Sequence, residues 1–380
     1  MPRSSRNILF LTTAFPNESN PFDGIFVFKH ARALNKAGEN IVVLTTEEEN
    51  NKPASQTLIQ ETLQDVELYR TQYKPGIGAL RLKRKVNALK NGFSALVASK
   101  KIDLVHVHFS YPSGFVAHWI KEEFGIPYVI TEHSSMFNPY RKEVRFKMLR
   151  KLVKKVLDGA EYIMPVSDDL AVHMKSISNL AKYVTVPNVV NSNVFNLKNP
   201  QLGERIKVLH VSSLAEPKNI PGLLEIFKRM VTERPEMDFT IVGEASNTML
   251  SAKLEELDIP NDRLQCVYGL QEEEVAEQMQ KHDLFLLFSN YENLPCVLIE
   301  AQSCGLPIFS TDVGGIREIV DEKALGMLLP RGDVDGMVEA LKNYSREHFN
   351  NKEIRMHALE KYSEKEVAKK YSKIYDAVLS

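Results

Sequence analysis

Short apolar runs alternate with amphipathic helical stretches along this chain, and the series occurs twice. The first series is Asn7–Thr13, Asn40–Thr46, Asp103–His108, Pro127–Thr131, Glu161–Val166 and Tyr183–Pro187. The second is Ile206–Val211, Phe239–Gly243, Leu264–Gly269, Leu284–Ser289 and Pro307–Thr311. These runs lack the polar alternation of a strand with one wet face, so they suit parallel strands covered on both sides. Stretches such as Phe26–Ala37 and Asp168–Ser178 supply the covering helices. Strand–helix alternation builds right-handed βαβ units, so each half reads as a doubly wound α/β sheet.

The two series meet at Pro187–Arg205, a segment rich in Asn and Pro and poor in core periodicity. A chain of 380 residues is also too long for one ordinary core. The expected domains are 1–186 and 187–362. Residues 363–380 hold a last helix, Glu364–Leu379, with no strand after it, expected to pack back on the N-terminal domain. Open α/β sheets bind ligands at the carboxyl ends of their strands, so two such domains are expected to face a central cleft.

A net charge of -1 gives no reason to expect nucleic acid as a partner. Cys266, Cys296 and Cys304 form no CxxC spacing, which points to free thiols in a reducing compartment. The stretch before Pro16 holds too few apolar residues for a signal peptide, and no run approaches the roughly 20 apolar residues of a membrane span. The expected location is the cytoplasm, with peripheral attachment to the inner face of the membrane as an option.

The densest chemistry lies in Ser289–Gly305. Leu284–Ser289 reads as a strand, Asn290–Leu294 as a loop, Pro295 as the first position of a helix, and Gly305 as its end. Glu292 precedes that helix and Glu300 lies inside it. The amides of Asn293, Leu294 and the first turn make a positive end suited to a phosphate or to sugar hydroxyls. Glu300 has the chemistry to accept hydrogen bonds from a vicinal diol such as a ribose presents.

With its surroundings, SNYENLPCVLIEAQSCGLPIFSTDVGGIREIV, this segment resembles the donor-site signature of the large family of retaining glycosyltransferases with the GT-B fold, family 4. The signature is an acid, seven residues, a second acid, a Cys-Gly-x-Pro turn, a strand and Val-Gly-Gly. The resemblance continues in VSSLAEPKN, VPNVV, TEHSS, HVHFS and FPNESNPFDGIFVFKHARAL, and so spans nearly the whole chain. It implies two Rossmann-like domains and a retaining transfer from a nucleotide-diphosphate sugar to a hydroxyl of a glycan or a polyprenyl-diphosphate-linked acceptor. It also implies a reaction without metal or other cofactor. Asp-x-Asp, the metal motif of the other major transferase fold, occurs at Asp333-Val334-Asp335, but there it reads as a helix start.

Carried onto this chain, the resemblance gives Glu300 the nucleotide ribose and Glu292 the donor sugar. The backbone of Asn293 and Leu294 takes sugar hydroxyls or phosphate, where the family more often has Gly-Phe-Gly. Lys218 falls in register with the lysine that neutralises the departing diphosphate, a place where a fixed cation stabilises the transition state. The family's arginine five residues earlier is Ser213 here. Ser213 and Gly243, at the ends of their strands, complete the donor-binding set. On the N-terminal side, Gly24 at a helix start matches the glycine-rich first loop beside donor phosphate and acceptor. His133, beyond a strand end, is implied to contact the donor sugar, and His108 to line the acceptor side.

Arg141–Lys155 carries eight basic residues and one acid. Its helical wheel puts Val144, Met148, Leu149, Leu152, Val153 and Val156 on one arc and most of the cations opposite. That face suits an anionic membrane surface. Other enzyme classes fit less well. A nicotinamide dehydrogenase needs GxGxxG where this chain has Phe15-Pro16-Asn17. A metal-dependent hydrolase on His106, His108 and His133 lacks acidic ligands in register. A non-catalytic nucleotide-sugar binder stays open at this point, distinguished by binding without turnover.

Overall fold

The structure, a computed structural model, describes residues 6–50, 57–138, 144–197, 203–245, 248–257, 259–260 and 262–380. The chain divides into two compact units, Met1–Val189 with Glu364–Ser380, and Val190–Ser363.

The first unit begins with β1 (Asn7–Leu11), α1 (Ile25–Lys36), β2 (Asn40–Glu48), β3 (Thr57–Leu63) and β4 (Val66–Tyr73). It continues with α2 (Ala79–Val97), β5 (Leu104–His108), α3 (Ser113–Phe124) and β6 (Tyr128–Glu132). Then come α4 (Val144–Gly159), β7 (Tyr162–Pro165), α5 (Asp168–Lys175) and β8 (Lys182–Tyr183). The sheet order is β3-β4-β2-β1-β5-β6-β7-β8. Every pairing is parallel except β3 with β4. Ile8, Leu9, Phe10 and Leu11 of central β1 are fully buried, as a strand covered on both faces requires.

Two features depart from the expected pattern. No strand was expected between Thr46 and Asp103, yet β3 and β4 form an antiparallel hairpin at the sheet edge, turning at Gln64 with φ 54°. Its residues alternate: Val66 and Leu68 are buried while Glu67 and Tyr69 are partly exposed, a period of two instead of a continuous apolar run. The expected strand Tyr183–Pro187 shrinks to β8, although the amides of Val184 and Val186 still donate to Ile163 and Pro165 of β7.

The second unit runs β9 (Ile206–Ser212), α6 (Ile220–Glu233), β10 (Met237–Gly243), α7 (Thr248–Leu257), β11 (Leu264–Tyr268) and α8 (Glu272–Lys281). It continues with β12 (Leu284–Leu287), α9 (Cys296–Ser303), β13 (Ile308–Thr311), α10 (Ile316–Ile319), β14 (Gly326–Leu329), α11 (Val334–Lys342) and α12 (Asn351–Tyr362). Its sheet order is β11-β10-β9-β12-β13-β14, parallel throughout. The short edge strand β14 was not expected. Pro295 corrects the expected helix start: it is extended, with φ -68° and ψ 120°, and caps a helix whose first residue is Cys296. Asp333 caps α11, its Oδ1 accepting from the Gly336 amide at 2.8 Å, so Asp333-Val334-Asp335 is a helix start.

The last helix, α13 (Glu364–Leu379), is part of the first unit's core. Val367, Ala368, Tyr371, Ile374 and Tyr375 are buried with residues of β1 and α1. Arg6 fastens it: the guanidinium bridges Glu39 and Asp376, while Lys36 pairs with Glu364 at 2.8 Å. The expectation for Arg141–Lys155 lies partly outside the described residues. In the described part of α4, Val153, Val156 and Leu157 are buried, but Leu152 is 53% exposed and does not belong to the apolar arc assigned to it.

Candidate functional site

In the second unit the strand order reverses between β9 and β12, the place where open α/β sheets leave a crevice. The loop after β9 ends in a single 3-10 turn, Glu216–Lys218, before Asn219, whose φ of 47° turns the chain into α6. The loop after β12 carries Ser289 to Leu294. A backbone bond from the Asn290 amide to the Pro217 carbonyl, 2.6 Å, ties the two loops together. Lys218 Nζ then meets Glu292 Oε1 at 2.6 Å, and the Ser289 hydroxyl donates to the same oxygen at 2.7 Å. The lysine and glutamate side chains are 16% and 10% exposed, so the pair is held in a partly dry place where its geometry is well defined.

The third loop, after β13, is locked to the second. Thr311 Oγ1 donates to the Ser289 carbonyl at 2.7 Å, and the Gly315 amide donates to the Asn293 carbonyl at 2.8 Å. Val313-Gly314-Gly315 thus braces the turn that carries Asn293 and Leu294. Glu300 sits in α9, 8% exposed; burial and its carboxylate together push the Cys304 thiol up to about 12. Gly243 ends β10, and a Cβ there would lie 2.6 Å from Leu214 Cδ1. Leu214 itself has φ 58°, an outlier for a non-glycine residue of the kind that collects at ligand loops. Ser213 beside it is exposed, and the hydroxyl that organises this corner is that of Ser212, which meets His210 Nε2 at 2.8 Å and accepts from the Leu214 amide.

In the first unit the order reverses between β1 and β5. Gly24 caps α1 with φ 61°, and a Cβ there would stand 2.2 Å from the Ala14 carbonyl oxygen. Glycine is therefore demanded twice, by the left-handed conformation and by the close approach of the β1–α1 loop to itself. After β5, Phe109 has φ 73°, the counterpart of Leu214 after β9.

His106, His108, His133 and His30 form one cluster. The rings of His106 and His108 stack at 4.5 Å, and those of His108 and His133 at 5.3 Å. His108 Nδ1 lies 3.1 Å from His133 Nε2, and His30 Nε2 3.5 Å from Asn188 Oδ1. His106 joins the Tyr375 hydroxyl at 2.5 Å and Thr131 Oγ1 at 2.7 Å. Burial holds all four rings neutral, His30 down to about 4 and the others well below the usual imidazole range. The bond between His108 and His133 therefore carries one proton, with one ring donating and the other accepting. His108, which the resemblance sets on the acceptor side, is wholly enclosed. Among the described residues no three His, Cys, Asp or Glu side chains are grouped to hold a metal ion.

Glu132, the last residue of β6, escaped the reading of the sequence. It is fully buried, and one carboxylate oxygen accepts from the Ser110 amide at 2.8 Å and from its hydroxyl. The other accepts from the amides of His133 and Ser134 at 3.1 and 2.8 Å. Burial raises its pKa against the pull of these donors. An acid closing an otherwise apolar strand, directly before His133, was the available signal.

Family models match both halves of the chain. Residues 24–194 match the family model for Glycosyltransferase Family 4, and residues 195–366 that for Glycosyl transferases group 1. A glycosyltransferase assigned to teichuronic acid biosynthesis in Bacillus subtilis is 24% identical over 373 residues, covering 91% of each chain. Sucrose-phosphate synthase from Thermosynechococcus elongatus superposes with a TM-score of 0.79 at 18% identity, covering 99% of each chain. Anabaena HepE in complex with UDP and glucose gives 0.74 at 14% identity, covering 98% of this chain and 100% of its own. With two doubly wound α/β domains of the GT-B type and family matches across residues 24–366, the chain is a glycosyltransferase of family 4.

Proposed function

We propose that this glycosyltransferase takes its sugar from a nucleotide-diphosphate sugar, with retention of configuration, and passes it to a hydroxyl of a glycan or lipid-linked acceptor in cell-surface polysaccharide or glycolipid synthesis. The observation that carries the reading is the Lys218–Glu292 pair at the β9/β12 reversal, with Glu300 in the helix beyond. In this reading Glu292 keeps the ammonium of Lys218 in place until a diphosphate arrives. As the bond to the sugar breaks, negative charge grows on the leaving phosphate, and Lys218 stabilises it. The acceptor hydroxyl attacks from the face the diphosphate leaves, and the departing phosphate takes its proton. Glu292 then holds the donor sugar, Glu300 the ribose, and the turn at Asn293 and Leu294 the sugar hydroxyls or phosphate.

The N-terminal unit is assigned the acceptor, with Gly24 on its side; His133 is assigned to the reacting sugar, and enclosed His108 to holding the His133 ring in place through their 3.1 Å contact. The reaction is proposed to need no metal or other cofactor. Support for the donor class comes from HepE, whose structure contains UDP and glucose, and for the pathway from the relative in teichuronic acid biosynthesis. Arg150, Lys151 and Lys155 are exposed on α4 beside Leu152, which supports peripheral attachment to an anionic membrane from the cytoplasmic side. No helix among the described residues is long and apolar enough to cross a membrane.

Lys218→Ala and Glu300→Ala test the assignment. Each should lower donor turnover by roughly 100-fold or more, and the product anomer, read by NMR, should match the donor's. Wild-type rates in both variants, or an inverted product, would overturn the reading.

A further inference from the structure

On the first unit an open cavity of about 330 Å³ lies between the start of α2 and the loop after β5, lined by Gly78, Arg81, Leu82, Lys85, Tyr111 and Pro112. Its position follows from strand order, since β5 is one of the two strands at the reversal and Tyr111 follows it closely. The cations in it are fixed in advance. Glu48, the last residue of β2, accepts from Arg81 Nε and Nη2 at 2.8 and 2.7 Å and from the Tyr73 hydroxyl at 2.7 Å, with Lys85 Nζ at 3.8 Å.

This arrangement binds the guanidinium by one edge only. Arg81 has five N–H donors, and Glu48 takes one from Nε and one from Nη2; Nη1 has no partner among the described residues. The Arg81 side chain is 60% exposed, so its unused edge is open to solvent. Glu48 faces both cations, and half-buried Asp23, on the β1–α1 loop, lies near Lys85 and Arg70, the latter also paired with Glu61 at 3.4 Å. A preoriented guanidinium with an open edge, beside an aromatic ring, is suited to a tetrahedral oxyanion. The approach to α2 is apolar: Ile77 is 94% exposed and Leu80 46%.

We propose that this cavity seats a phosphate group of the acceptor, gripped by Arg81 and Lys85. The proposal rests on the glycosyl-transfer reading above and names the chemistry of the acceptor. The phosphate can belong to a lipid-linked acceptor, whose chain would run over Ile77 and Leu80, or to a water-soluble phosphorylated glycan.

Calorimetric titration of the full chain with farnesyl phosphate and with inorganic phosphate separates these sources. Farnesyl phosphate should bind the wild type, and the Arg81→Ala/Lys85→Ala double variant should bind at least about tenfold more weakly, the loss of one charge-assisted contact. Lys218→Ala should bind like the wild type. Tighter binding of farnesyl phosphate than of inorganic phosphate supports the lipid-linked source, and equal binding the soluble one. No binding of either probe, unchanged binding in the double variant, or loss of binding in Lys218→Ala would overturn the proposal. Lys85→Glu, a single change at a side chain 26% exposed, serves as a second variant with the same expected direction. A nucleotide-sugar thermal shift measured on the double variant keeps the two readings apart: a normal donor shift there leaves the donor reading standing even if phosphate binding is absent.

Discussion

Glu132 accepts four hydrogen bonds with no cation among its partners, and in doing so joins the loop after β5 to the loop carrying His133. Replacing it by Ala strands the buried amide of Ser110 and the partly buried amides of His133 and Ser134. The expected cost is about 1–3 kcal/mol for each such group left without water or partner, seen as a lower denaturant midpoint. Catalysis should suffer in kcat more than in KM, because His133 is misplaced while the donor loops of the second unit are untouched. A midpoint and kcat equal to wild type would refute this role. The sequence announced His133 but not its support, since Ser110 lies 22 residues away and only the register of β5 against β6 brings it to Glu132. Gly24 was legible as a turn glycine; its contact with the Ala14 carbonyl was not, because a sequence shows no distances. Lys218 and Glu292 were each legible as candidates by resemblance. Their direct pairing depends on the 2.6 Å backbone bond between their loops.

Among elements, the long apolar strands and their covering helices were read nearly to their ends, because burial on both faces leaves an unbroken apolar run. The β3–β4 hairpin was missed for the opposite reason, since its strands alternate polar and apolar residues; β14 was missed because its four residues, GMLL, are too short a run to stand out. The final helix was expected on the N-terminal domain, and its inward face is set by Val367, Ala368, Tyr371, Ile374 and Tyr375. Tyr375 packs its fully buried ring in the core and places its hydroxyl on His106. Tyr375→Ala should cost about 3–5 kcal/mol, and Tyr375→Phe about 1–3 kcal/mol through the unpaired His106 nitrogen. Equal stabilities for Phe and Tyr at this position, measured by chemical denaturation, would show that the hydroxyl bond contributes nothing.

For the whole molecule, buried neutral histidines set the response to acid. His30, His210 and His282 are held down to about 4 by burial. Below the usual imidazole value near 6.5 the unfolded chain takes up protons at these rings and the folded chain does not, so stability falls as pH drops from about 6.5 toward 4. Each ring contributes up to about 1.4 kcal/mol per pH unit in that window. His106, His108 and His133 act in the same direction, and the raised carboxyl of Glu132 opposes them with one proton. The thermal midpoint should be steady above pH 7 and fall steeply below 6; a flat midpoint down to pH 5 would contradict the neutral cluster.

The central claim is that Lys218 and its neighbours hold the diphosphate of a nucleotide sugar. Thermal denaturation of the wild type and of Lys218→Ala with a panel of UDP-, GDP- and ADP-sugars tests it most directly, because a ligand bound only to the native state raises the midpoint. One nucleotide class should raise the wild-type midpoint, and Lys218→Ala should lose most of the rise. No shift with any of the panel, or an equal shift in Lys218→Ala, would contradict it.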